Sequence, residues 1–420
     1  MVTSGQHLGG LTQNVFALWL LWLLVALSSY VRIEPAPYDV LGSGLFVLFF
    51  ILGLRIPRGI GAPTFCLFIF MLANIIAGMC APDPIHTLKP MFIRLYMILS
   101  WLFFTCLIYE NPRRVYEVIW SGYIFAAIIC MLVASLIYAG IIALPPAPGH
   151  ASYEVLYENE RAQGLFKDPN VFGPYLVPVA LYTLARMIDG SGLRPLAMGA
   201  LFVWFGFGIL IGFSRGAWLN LGVSFMIAMA LRFYTERGPV QYARAFVLVG
   251  VFLGAASLVI IWAKSTDTIG EIFDTRVKLV QDYDTDRFAI QAEVVKEVLV
   301  TPIGLGPGRA ADFDTFRNAP HNLFLHVLIE SGWLGAVAFY AFLAMTLWRG
   351  LNFCMQPTVI QNIYIIVFAC TVGTLTQSLF IDSTHWRHMF LLLGMLWGPL
   401  LAWQADRAAF LSLRRSSMGF

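Results

Sequence analysis

Apolar runs of roughly twenty residues alternate with short polar breaks along most of the chain. A run of about that length crosses a hydrocarbon core of ~30 Å as a helix. The pattern predicts spans at 14–31, 38–54, 62–80, 91–109, 115–143, 171–186, 195–212, 216–231, 245–263, 322–348, 359–380 and 387–404. The stretch 195–231 must fold back, since one helix of that length would run roughly 55 Å at about 1.5 Å per residue. The break is expected in "FSRGAW" (213–218), where Ser214, Arg215 and Gly216 interrupt the hydrophobicity. The alternating segments of ~10 residues that mark an outer-membrane barrel do not occur. The expected fold is therefore all-α, a polytopic integral membrane protein of about twelve transmembrane helices. The first run, "NVFALWLLWLLVALSSYV" (14–31), has no Lys or Arg ahead of it and no clean small-residue cleavage site. It reads as a spanning helix rather than a cleavable signal.

Two polar interruptions are long, 144–170 and 264–320, and divide the chain. Helices one to nine with the loop 144–170 occupy 1–263. The loop 264–320 precedes the last three helices (321–404), and a tail covers 405–420. Within the long loop, 286–299 reads as an amphipathic helix. Phe288, Ala292, Val295 and Leu299 share one face, while Arg287 stacks with Gln291, Val294 and Val298 on its apolar edge. That arrangement points Arg287 inward or at the membrane. A loop as long as 264–320 is uncommon without a function, and it is long enough for a lid. No internal repeat or low-complexity tract is present.

Composition agrees: 59% of the residues are hydrophobic and 12% charged, against about 25% charged in soluble domains. The net charge of +3 gives no reason to expect a nucleic-acid partner. The placement of the cations says more. With both termini cytoplasmic, one side receives Arg55, Arg58, Arg113, Arg114, Arg186, Arg194, Arg232, Arg237, Arg244, Arg349, Arg407, Arg414 and Arg415. The short loops opposite hold Arg32, Lys89, Arg215 and Arg387. This is the positive-inside asymmetry, and it assigns both long loops, Arg215 and His321 to the outer side. The six cysteines lie in or beside apolar runs without paired spacing and read as packing residues.

The candidate chemistry collects on that outer side. An arginine at membrane depth costs about 2.5–3.5 kcal/mol, so Arg215 in a turn that Ser214 and Gly216 already allow suggests an anion site; the ordinary alternative is a snorkelling arginine at the interface. Arg161 in "NERAQGLFKDPN" (159–170) and Arg287 are further cations beside apolar surface, and three guanidinium groups would suit a pyrophosphate. Pro320 directs the chain out of an extended segment into a helix, so His321 is expected in a first turn whose positive end favours a neutral imidazole, the form a general base needs. "DYDTD" (282–286) has the look of a metal motif, but Asp284 or Thr285 capping a helix explains it as well. "GLGPGR" (304–309) has no strand–helix context, which excludes a dinucleotide fold, and reads as a turn, with anion binding by its backbone N–H groups the alternative. His385 and His388, spaced i,i+3 near Asp382, could form a metal site, but interfacial His and Trp are ordinary helix-end residues and account for them as well. The roles of Asn322, Lys167 and Glu330 are open, since capping and packing account for them equally.

Four pieces in order, "RAQGLFKDPN" (161–170), "FSRGAWL" (213–219), "DRFAIQAEVV…TPIGLGPG" (286–308) and "HNLFLHVLIESGWLG" (321–335), resemble the O-antigen ligase and polymerase superfamily. The last, a His-Asn pair followed by Glu-x-Gly-x-x-Gly, is the most specific. The resemblance implies a fold related to the glycosyltransferase C membrane enzymes and an inverting, metal-independent, cofactor-free transfer at the periplasmic face of the bacterial inner membrane. The donor would be an undecaprenyl-pyrophosphate-linked glycan and the acceptor lipid A–core, with membrane lipids around both. His321 would be the general base, Arg161, Arg215 and Arg287 would hold the donor pyrophosphate, and Asn322 would support them. A Wzy-type polymerase or a protein O-oligosaccharyltransferase are the alternatives within the superfamily. A transporter of an anionic lipid or solute is the alternative outside it, and it predicts that His321→Ala leaves function largely intact.

Overall fold

The computed structural model describes residues 10–142, 161–189, 194–235, 282–312 and 319–417, with isolated positions between 238 and 265. The predicted span 245–263, much of both long loops and the side chains of "DYDTD" fall largely outside the described residues. Thirteen helices are described: α1 (Gly10–Gln13), α2 (Val15–Ala26), α3 (Pro37–Ile51), α4 (Gly61–Cys80), α5 (Pro84–Glu110), α6 (Pro112–Tyr138), α7 (Pro169–Asp189), α8 (Arg194–Ile211), α9 (Arg215–Thr235), α10 (Asp282–Val300), α11 (Leu323–Cys354), α12 (Gln361–Gln377) and α13 (Arg387–Ser417). Eight of these are long and apolar enough to cross a membrane: α4 to α9, α11 and the Arg387–Arg407 part of α13. The protein is a multi-pass membrane protein whose described residues form helices and no strands. The apolar helices α2 and α3 are shorter.

Local chemistry sets the boundaries. Asn14 caps α2 by accepting from the N–H of Phe16 at 2.9 Å, and Asp83 and Asn111 cap α5 and α6, each followed by a proline that needs no N–H partner. The fold-back between α8 and α9 falls at 212–214, with Phe213 at a positive φ of 44° and Ser214 Oγ accepting from Ala217 N at 3.4 Å. Arg215 is thereby the first residue of α9. Helices pack in close pairs, among them α7 with α8, α5 with α13, α9 with α12 and α4 with α11; α5 and α13 run parallel, with Gly394 against Trp101 and Phe104 and Gly398 against Thr105 and Ile108. Pro399 lies inside α13 and has no N–H for the carbonyl of Met395, four residues back. The buried Tyr116 hydroxyl donates to that carbonyl instead.

The Glu-x-Gly-x-x-Gly motif proves architectural. Gly332 interrupts α11 with φ 66° and ψ −172°, a conformation open essentially to glycine alone. The carbonyls released there are taken by the glycine-rich loop: Leu305 N–H donates to Ile329 O at 2.8 Å and Gly306 N–H to Glu330 O at 3.0 Å, while Trp333 N–H donates to Pro302 O at 3.0 Å. "GLGPGR" is therefore a strap that completes a broken helix, and the N–H groups of Leu305 and Gly306 are not free to cradle an anion. The helix α10 begins at Asp282, one turn before the residue expected to open it. It docks on α11 through Val294 and Val298, both almost fully buried with Ala310 and Ile329, whereas Phe288, Val295 and Leu299 are exposed. The docked stripe is the one that carries Arg287.

Candidate functional site

Arg161 is buried just ahead of α7. Its Nε donates to Gly212 O at 3.1 Å and its Nη2 to Asn170 Oδ1 at 2.9 Å, and Ala162 N–H donates to Ile211 O at 2.9 Å. The segment holding Arg161 thus runs along the turn that presents Arg215, so these two positions, far apart in sequence, meet. Asp168, capping the start of α7 through Asn170 N–H at 2.7 Å, feels both Arg161 and Arg287. Its pKa is raised by burial, which outweighs the Asn170 N–H and the two guanidinium charges.

His321 does not lie in the first turn of α11. The helix starts at Leu323 with Asn322 as its cap, the Asn322 side chain accepting from Phe324 N at 2.9 Å and Leu325 N at 3.1 Å. His321 precedes that cap because the cap side chain has taken the first free N–H groups of the helix. Asn322 has a structural role that accounts for its place. The expected lowering of the His321 pKa is present with another cause: burial of the ring is the largest, then the positive charge of Arg287, opposed by Asp382. The residue as a whole is exposed, yet enough protein surrounds the ring for desolvation to lead. Gln291 of α10 reaches the backbone carbonyl of His321 at 3.5 Å. Arg287 therefore acts on both Asp168 and His321, and the arginine segments and the histidine collect at one end of the bundle.

His321 lines a cavity of about 340 Å³ together with Glu34, Lys167, Asp168, Ile381, Asp382, His385, Arg387 and His388 among others. Lys167 pairs with Glu34 at 2.7 Å; that hydrogen bond is the main reason the Glu34 carboxyl titrates below its usual range. Arg387 forms a two-pronged pair with Asp39. Asp382 entered the sequence reading only as a neighbour of His385 and His388, and the structure adds its partners. Its Oδ1 accepts from Thr384 N–H at 2.9 Å and its Oδ2 from Thr384 Oγ1 at 3.0 Å. His326 Nε2 stands 3.6 Å and His385 Nε2 3.5 Å from Oδ2. Burial works to raise the Asp382 pKa, but the facing histidines bring it below the ordinary value.

Behind Asp382 runs a buried polar chain. His326 Nε2 also contacts Glu330 Oε1 at 3.2 Å, Ala310 N–H donates to the same oxygen at 3.0 Å, and Arg94 pairs with Glu330 Oε2 and with Asn74. Arg94, Asn74 and Glu330 are all buried. The i,i+4 spacing of His326 and Glu330 within an otherwise apolar helix was the available signal. His388 does not join His385 around Asp382; it lies between Trp386 and Tyr175, with ring centroids at 5.2 and 5.8 Å. Among the described residues no three or more His, Cys, Asp or Glu side chains are arranged to hold a metal.

Residues 200–340 match the family model Wzy_C, described as O-antigen ligase. The match supports membership of the O-antigen ligase family. It spans Arg215, Arg287, His321, Asn322 and the broken-helix motif, with Arg161 and Asp382 outside it. An O-antigen ligase or polymerase type of function goes with the family, as do a lipid-linked glycan and a lipid acceptor in general terms. No curated protein matches the chain.

Proposed function

We propose that the chain transfers O-antigen glycan from undecaprenyl pyrophosphate to a sugar hydroxyl of lipid A–core, at the periplasmic face of the inner membrane. The observation that carries the reading is the position of Arg287, whose charge reaches both Asp168, beside Arg161, and His321. This supports a site in which cations for a pyrophosphate lie near a base for a hydroxyl. The positive-inside distribution of Lys and Arg supports the periplasmic orientation.

In this mechanism Arg161, Arg215 and Arg287 hold the donor pyrophosphate. The acceptor oxygen attacks the anomeric carbon from the face opposite the phosphate, and the configuration inverts. As the carbon–oxygen bond to phosphate breaks, its electron pair goes to the phosphate oxygen, where preset guanidinium groups stabilise the charge without metal or other cofactor. His321, held neutral by its surroundings, takes the acceptor proton. Arg161 also braces the Arg215 turn, so its role is partly positional.

The test is reconstitution of the purified protein with lipid-linked O-antigen and lipid A–core in EDTA, with products resolved by mass. Glycosylated lipid A–core supports the ligase. Lengthened lipid-linked glycan would make the same site a polymerase, and no covalent product would overturn the transferase reading.

A further inference from the structure

The cavity beside His321 differs in charge from the arginine cluster. Its wall presents the carboxylates of Glu34, Asp168 and Asp382 against the cations Lys167 and Arg387. Both cations are engaged, Lys167 with Glu34 and Arg387 with Asp39. A pyrophosphate entering here would meet carboxylates, whereas an uncharged polyhydroxylated molecule would meet hydrogen-bond acceptors. Asp382 Oδ1 accepts from Thr384 N–H and Asp168 accepts from Asn170, and a carboxylate with about four lone-pair sites keeps acceptor capacity for a hydroxyl beyond these bonds. Asp382 is also held rigidly, because His326, Glu330 and Arg94 fix it from behind.

A second observation points the same way. His388, which lines the cavity and is only 4% exposed, leaves Nε2 without a hydrogen-bond partner among the described residues. A buried polar atom of that kind carries a penalty unless something satisfies it. The volume, about 340 Å³, is at the small end of ligand sites, which run about 300–1,000 Å³, and suits one sugar ring better than an oligosaccharide.

We propose that this cavity is the acceptor subsite. It seats one uncharged sugar unit of the acceptor, with hydroxyls bonded to Asp168 and Asp382, and so delivers the reacting hydroxyl to His321. The charge difference separates the two substrates: phosphate goes to the arginines and the neutral sugar to the carboxylates. The inference rests on the transferase reading for the role of that sugar.

The experiment uses the full chain in lipid nanodiscs and three variants, Asp168→Asn, Asp382→Asn and Ile381→Trp. The asparagines keep the backbone caps that Asp168 and Asp382 make, and the tryptophan fills the cavity. KM is measured separately for lipid A–core and for the lipid-linked donor. Loss of one charge-assisted hydrogen bond raises the acceptor KM by about tenfold or more, with the donor KM within about twofold of wild type. A raised donor KM with an unchanged acceptor KM would overturn the assignment, as would no change in either. Binding of dephosphorylated core oligosaccharide, followed by saturation-transfer NMR, separates this outcome from failure of the transferase reading. If wild type forms no covalent product but binds the oligosaccharide, and Ile381→Trp abolishes that binding, the sugar site stands. Binding undiminished in Ile381→Trp overturns it.

Discussion

Glu330→Gln is the most informative change in the buried chain, because it keeps the shape and removes the charge. Arg94 and Glu330 are 6% and 1% exposed, so water cannot replace the lost partner. The glutamine amide can offer its oxygen either to Arg94 or to Ala310 N–H and His326, and its NH2 then faces a donor on the other side. Breaking a buried ion pair from one side costs about 3–5 kcal/mol, with the orphaned donor included in that range. Removing both charges in Arg94→Met/Glu330→Gln should cost less than the sum of the single changes by at least about 1 kcal/mol, because the uncompensated guanidinium is gone. Equilibrium unfolding in mixed micelles, read by far-UV circular dichroism, measures all four corners of the cycle. A Glu330→Gln protein within about 1 kcal/mol of wild type, or a strictly additive cycle, would refute the claim that Glu330 anchors α5 to α11.

Two further outcomes follow from the geometry. In the proposed mechanism transfer requires neutral His321, whose pKa is lowered from the ordinary histidine value of about 6.5, so the rate should be level at neutral pH and fall only on acidification below that value. Arg287→Gln removes a repelling cation, raises the His321 pKa and moves the acid limb to higher pH, while Asp382→Asn removes an attracting anion and moves it to lower pH. Single-turnover pH profiles of the two variants check this, and shifts in the same direction would contradict it. Gly332→Ala should destabilise by about 1–3 kcal/mol from its conformation alone, and its new Cβ would collide with the Ile303 carbonyl. Its yield of folded protein on size exclusion should collapse, and a normal profile would show the break in α11 to be dispensable.

Much of the fold was legible because membrane helices announce themselves by length and hydrophobicity, with ends such as Asn14 and Ser214 readable; the starts at Pro84 and Pro112, expected at 91 and 115, lie in polar turns that hydrophobicity does not mark. The break at 212–214 was readable from the interruption by Ser214, Arg215 and Gly216. The break at Gly332 was not, since a lone glycine in an apolar run looks like packing until a distant loop is seen to satisfy its carbonyls. For the same reason "GLGPGR" offered no hint of its role as a strap. In the site, charged residues stood out against an apolar background, which is why Arg161, Arg215, Arg287 and His321 could be singled out. The role of Asp382 was hidden because it depends on His326, from another helix, and on His385 in its own loop. The position of His321 was misjudged by two residues, and that small error changed the reason for its lowered pKa from a helix end to desolvation and Arg287.

The most direct test of the central claim compares His321→Ala with wild type for two properties measured separately, binding of undecaprenyl pyrophosphate and formation of glycosylated lipid A–core. The account predicts donor binding within about twofold of wild type and a loss of turnover of at least about a hundredfold, the low end for a general base. A His321→Ala protein that still glycosylates lipid A–core at near wild-type rate would contradict it.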